Sequence, residues 1–158
     1  MTSLVTVEQY RGYAVVRLNR PEKKNALNRA ARRDLLAALA SLRAECRAIV
    51  LTGCGDSFSS GVDLKEARAD AEAGTPPDLG SDWIEVLIAI REHPAIFIAA
   101  VNGLALGGGA TLISVCDLAV AAHEAEIGMP EIGFGAYPQF RGREPRSSSP
   151  PNARLGWY

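Results

Sequence analysis

Two rhythms of apolar and polar positions run through this chain. Leu4 to Val7 and Tyr13 to Leu18 are rich in β-formers and are separated by Arg11-Gly12, the pattern of a hairpin. From Asn28 to Arg43 the period changes to that of a helix: Ala31, Leu35, Ala38, Leu39 and Leu42 form one stripe, leaving Arg32, Arg33 and Arg43 for water. Ala48 to Thr52 is a short, apolar strand closed by Gly53. Asp78 to Arg91 reads as a second helix, with Ile84, Leu87, Ile88 and Arg91 at helical steps. It stops before His93-Pro94, because a residue preceding proline is driven out of the helical region. Ile96 to Val101 is another strand, Gly107 to Val115 a helix, and Leu118 to Ala122 a strand. Strand-then-helix order with unbroken apolar strands predicts an α/β fold whose sheet is buried on both faces. No internal repeat is visible in the sequence.

The pattern breaks after Pro138. The segment 139–158, QFRGREPRSSSPPNARLGWY, carries four arginines against one glutamate and has no period of 2 or 3.6. Such a segment cannot repay its ordering entropy, so a core over 1–138 and a disordered or foreign tail over 139–158 are expected. The whole chain, 158 residues with 47% hydrophobic and 22% charged, is long enough for a core without staples. A net charge of −1 leaves no basic field for a phosphate backbone, which argues against a nucleic-acid partner. Cys46, Cys54 and Cys116 make no C-x-x-C pair, which fits a reducing, cytoplasmic setting. The start has no secretory pattern, and the longest apolar run, Ala95 to Val101, is too short to span a membrane.

Two strand ends carry glycine-rich turns: Gly53 to Lys65 (GCGDSFSSGVDLK) and Asn102 to Gly109 (NGLALGGG). Glycine permits positive φ and close approach, and amides at a helix start have no intrahelical partner. Such turns suit a developing oxyanion; they equally suit tight strand-to-helix packing with no ligand. Neither matches a dinucleotide fingerprint or a Walker loop. His93 and His123 lack metal-ligand spacing and read as surface or helix-end residues, so no metal site is expected. Ser57, Ser59 and Ser60 read as turn serines, with no G-x-S-x-G elbow. Glu131, in IGMPEIGFG, has apolar neighbours that can raise its pKa and make it a general acid or base; it reads equally as a surface loop glutamate.

Four segments in one order, NRPEKKNAL (Asn19 to Leu27), FSSGVDLK (Phe58 to Lys65), NGLALGGGATLISVCD (Asn102 to Asp117) and IGMPEIGFGAYP (Ile127 to Pro138), resemble the crotonase family of enoyl-CoA hydratases and isomerases. The resemblance implies a spiral of ββα units, here lacking much of the C-terminal helical part. It implies an acyl-CoA thioester as partner, coenzyme A only as part of that substrate, and a place in fatty acid metabolism. Assembly as a trimer or hexamer is also implied, weakened where the C-terminal helices are missing. The oxyanion hole falls on the amides of Val62 and Gly108, and Asp63, Leu64 and Lys65 fall on the substrate side. Of the two family glutamates the second is Glu131; the first would stand at Thr111. Hydration uses both carboxylates, whereas moving a double bond can run on the second alone, so isomerisation ranks above hydration. The similarity stops at Tyr137-Pro138, as a frame change or truncated gene would produce, and the alternative is an inactive remnant that keeps acyl-CoA binding.

Overall fold

The computed structural model describes residues 3–73 and 81–130. Val5–Tyr10 (β1) and Tyr13–Leu18 (β2) form the expected antiparallel hairpin. Asn28 then caps the helix Arg29–Leu42 (α1), its side-chain oxygen accepting from the Ala31 amide at 2.9 Å. Three strand pairs follow: Ala48–Gly53 (β3) with Ser57–Ser59 (β4), Ile96–Val101 (β5) with Leu104–Leu106 (β6), and Leu118–Ala121 (β7) with Ile127–Gly128 (β8). Between the first two pairs lie helices Leu64–Glu72 (α2) and Ser81–Arg91 (α3), and Gly108–Val115 (α4) follows the second.

The first strand of each pair joins a five-stranded sheet, β1-β2-β3-β5-β7; the second joins a separate parallel sheet, β4-β6-β8. The chain therefore climbs by a ββ step, and with α2, α3 and α4 it makes ββα units. Structurally this is a repeat that the sequence does not display. Strands of two or three residues, SFS, LAL and IG, are too short to show a period.

The register stacks the core in rows: Ala14 beside Ile49 and Phe97, then Val16 beside Leu51 and Ala99. These residues share one face with Leu35, Leu39 and Leu42 of α1 and with Val86, Leu87 and Ile90 of α3, all buried. Each large side chain so buried contributes about 1.5–3 kcal/mol. The opposite face differs from expectation. Val15, Val50 and Ile98 are only half-buried and β7 is exposed along its length, so among the described residues the second face is left partly open. The described helices α1 and α3 pack together and cover the first face, so α1 has two covered flanks.

That packing also corrects Arg32, which is not on the water side but 3% exposed. Its guanidinium donates to the Leu27 carbonyl at 3.1 Å and stands 3.6 Å from the Asp82 carboxylate on α3. A charge inside a helix pair is tolerable only with such partners.

His93 stands just past the C-terminus of α3, the helix-end place expected of it, but is buried there rather than at the surface. Ala95 N–H donates to its Nδ1 at 3.1 Å, which leaves Nε2 to donate to the Leu39 carbonyl at 3.2 Å. Burial, and secondarily the Arg43 charge, hold its pKa below the ordinary value against the pull of the Leu39 carbonyl. The unfolded chain takes up a proton near the ordinary His value of about 6.5, so stability should fall as pH drops through that value and be unaffected above it. Urea midpoints at pH 8, 6.5 and 5 test this. The decline should be smaller in His93→Gln, and an equal decline in that variant would assign the loss elsewhere. His123, by contrast, is exposed as expected.

Candidate functional site

Both glycine-rich turns sit where a strand of the large sheet hands over to one of the small sheet and then to a helix. After β4 the chain reaches Gly61, whose φ of +85° only glycine adopts without strain. This reversal brings Val62 beside Leu27: Leu27 N–H donates to the Gly61 carbonyl at 2.8 Å, and Asp63 N–H donates to the Leu27 carbonyl at 3.3 Å. After β6 the chain turns at Gly107, φ +52°, and starts α4 at Gly108.

The two turns press backbone against backbone. A Cβ on Gly61 would stand 2.7 Å from the Gly108 nitrogen, and one on Gly108 would stand 3.3 Å from the Val62 nitrogen. Among the described residues neither the Val62 nor the Gly108 amide donates a hydrogen bond. Two N–H groups from different turns, neither donating among the described residues, therefore border one Cβ-sized position. The third glycine has the packing role that the sequence left open: a Cβ on Gly109 would collide with the Ser59 carbonyl.

Side chains fix this backbone. Asn25 is 1% exposed and donates from Nδ2 to the carbonyls of Cys54 at 2.8 Å and Ser57 at 2.7 Å, while its Oδ1 accepts from Arg20 N–H. Ser59 Oγ donates to the Asn25 carbonyl at 2.9 Å and accepts from Gly61 N–H at 3.1 Å. Asn102 accepts from Gly53 N–H and donates to the Gly55 carbonyl, tying the ends of β3 and β5. Asn25 and Asn102 stand inside motifs that the sequence singles out, yet nothing local marks them as organisers. Ser57 and Ser59, read as turn serines, are buried strand residues; Ser60 is half-buried beside Lys24.

Asp63 is held on several sides. Its carboxylate accepts from the Lys65 and Glu66 amides at the start of α2 and from the Arg20 guanidinium at 3.2 Å. Burial pushes its pKa up, but Arg20 and the two amides outweigh burial and leave the group below its ordinary value. Leu64, 79% exposed, and the exposed Lys65 follow it into solvent. Thr111 lies one turn into α4, and both its amide and its hydroxyl donate to the Gly107 carbonyl, at 3.0 and 3.2 Å. Burial, with Asp117 adding to it, pushes the Cys116 thiol up to about 12. Glu131 and the segment 139–158 lie outside the described residues. No helix among the described residues is long and apolar enough to cross a membrane.

The fold has known counterparts. The enoyl-CoA hydratase/isomerase family model matches residues 8–146. The hydroxycinnamoyl-CoA hydratase-lyase of Pseudomonas fluorescens is 38% identical over 144 residues, covering 85% of this chain and 51% of that protein. The mitochondrial Delta(3,5)-Delta(2,4)-dienoyl-CoA isomerase of Rattus norvegicus is 36% identical over 134 residues, covering 76% and 40%. Among solved structures, AtuE of Pseudomonas aeruginosa superposes with a TM-score of 0.79 at 33% identity, covering 85% of this chain and 54% of that one. The chain thus spans about half the length of the curated relatives it matches. With its stepped ββα sheets and paired glycine turns, the chain belongs to the enoyl-CoA hydratase/isomerase family.

Proposed function

We propose that this chain carries the acyl-CoA site of an enzyme that shifts a carbon–carbon double bond in an enoyl-CoA thioester. The observation that supports it is the pair of unspent amides, Val62 and Gly108, at one point between two turns. In this reading they hold the thioester oxygen as it gains negative charge, with Asp63, Leu64 and Lys65 flanking the substrate side. Glu131 takes a proton from C2 of a 3-enoyl thioester. The electrons spread over C2, C4 and the thioester oxygen, and returning the proton to C4 yields the 2-enoyl product and restores the carboxylate. Coenzyme A enters only as the carrier on the substrate.

Thr111 is the reason to rank this above hydration. Adding water needs a second group to deprotonate it, and the Thr111 hydroxyl spends its proton on the Gly107 carbonyl. A 3-enoyl-CoA and a 2-enoyl-CoA offered separately to the purified protein test the ranking. Isomerisation should outrun hydration, and the reverse would make this a hydratase. Thioester binding by calorimetry without turnover would favour the runner-up, an acyl-CoA-binding remnant. No binding at all would overturn both.

A further inference from the structure

The Val62 amide ends a chain of hydrogen bonds. Its N–H shares a peptide unit with the Gly61 carbonyl, which accepts from Leu27 N–H at 2.8 Å. The Leu27 N–H in turn shares a peptide unit with the Ala26 carbonyl, which accepts from Arg20 Nη1 at 2.6 Å. Among the described residues no peptide bond is cis, and in a trans unit the C=O and N–H point opposite ways. Each bond therefore enters a unit at its oxygen, and the next leaves from its hydrogen. Arg20 is the cationic head of this chain. The Val62 N–H is its tail, pointing away from Leu27 with no acceptor among the described residues.

Polarity runs one way along the chain. A guanidinium donating to Ala26 draws electron density onto that oxygen, which makes Leu27 N–H a better donor to Gly61, and so on to Val62. Bonds in such chains strengthen one another by about 10–30% each. Water screens the head poorly, because the Arg20 side chain is 13% exposed. The same Nη1 donates to the Asp63 carboxylate at 3.2 Å, an anchor that lies off the chain. The Gly108 amide is served differently: its unit's carbonyl, Gly107, accepts from the neutral amide and hydroxyl of Thr111.

We infer that Arg20 is a positioning residue of this site, which aims the Val62 N–H through the Ala26 and Gly61 carbonyls and strengthens it as a donor to the thioester oxygen. The inference rests on the thioester reading of the Val62 amide.

The test is infrared difference spectroscopy of octanoyl-CoA, isotopically labelled at the thioester carbonyl and bound to the full chain. This probe has no double bond to move, so its C=O stretch reports polarisation alone. Binding should lower the stretch below its value in water. Arg20→Met keeps the length of the side chain without its charge or donors, and should lose about 10–30% of that shift, the cooperative share of one bond. Its kcat on a 3-enoyl-CoA should fall about 2- to 8-fold, the same share of an oxyanion donor's worth, with calorimetric affinity little changed. Arg20→Lys restores a cationic donor and should return the band towards its original place. Should Arg20→Met fail to fold, Arg20→Gln, which offers Ala26 a neutral donor, replaces it under the same expectation. A full shift in the folded neutral variant would overturn the proposal. So would a band in Arg20→Lys no nearer the original than in that variant. If the unaltered chain binds no probe, or binds it without shifting the band, the thioester reading itself fails and this proposal with it.

Discussion

A Gly61→Ala variant should turn over acyl-CoA about 10²- to 10³-fold more slowly, the cost of losing one oxyanion donor, while remaining largely folded. The backbone there has φ +85°, where an L side chain is strained by roughly 1–2 kcal/mol. The larger effect is spatial. The added Cβ would lie 2.7 Å from both the Gly108 nitrogen and the Leu106 carbonyl oxygen, and neither is the tip of a flexible side chain. The turns must therefore part, and the two amides then no longer reach one oxygen. Val62→Ala is the matched control, because it trims a side chain and leaves the amide in place. Circular dichroism would report folding and steady-state kinetics the activity. A folded Gly61→Ala protein with unaltered kcat would remove these turns from the chemistry.

Glu131→Gln should cost about 10² to 10⁴ in kcat, the usual range for losing a general acid–base group, with thioester affinity much less affected. Glutamine keeps the shape and hydrogen-bonding capacity of the side chain but cannot accept and return a proton. The effect should be that large because the α4 position at which the family resemblance puts a second carboxylate is Thr111, whose hydroxyl is bound to the Gly107 carbonyl. Parallel measurements of kcat and of calorimetric affinity separate a chemical role from a binding one. A variant with weakened affinity and normal kcat would make Glu131 a substrate contact rather than the acid–base group.

The large sheet was legible because each of its strands after the hairpin is a compact apolar run, and α1 because its stripe is regular. The small sheet was hidden by the brevity of β4, β6 and β8. Helix α2, LKEARADAE, escaped because its one large apolar residue, Leu64, faces solvent, so no stripe exists to be read. The burial of Arg32 and of His93 was illegible in the sequence for a shared reason. Both are polar types whose burial is decided by partners far along the chain, Asp82 on α3 for one and the Leu39 carbonyl for the other. At the site, glycine announced the two turns because it permits backbone that other residues resist. Asn25 was silent, since what it organises includes a carbonyl 32 residues away.

The large sheet has two unlike borders. On β1, Glu8 is bound by Tyr10 and Arg17, so that border presents charge to anything approaching it. On β7, Leu-Ala-Val-Ala lies open with neither charge nor proline, and among the described residues nothing pairs beyond it. Charged edge positions discourage further strand addition, whereas bare apolar ones invite it. The sheet is thus polarised as a growing surface: a further strand, wherever it comes from, would be admitted at the β7 border and turned away at the β1 border.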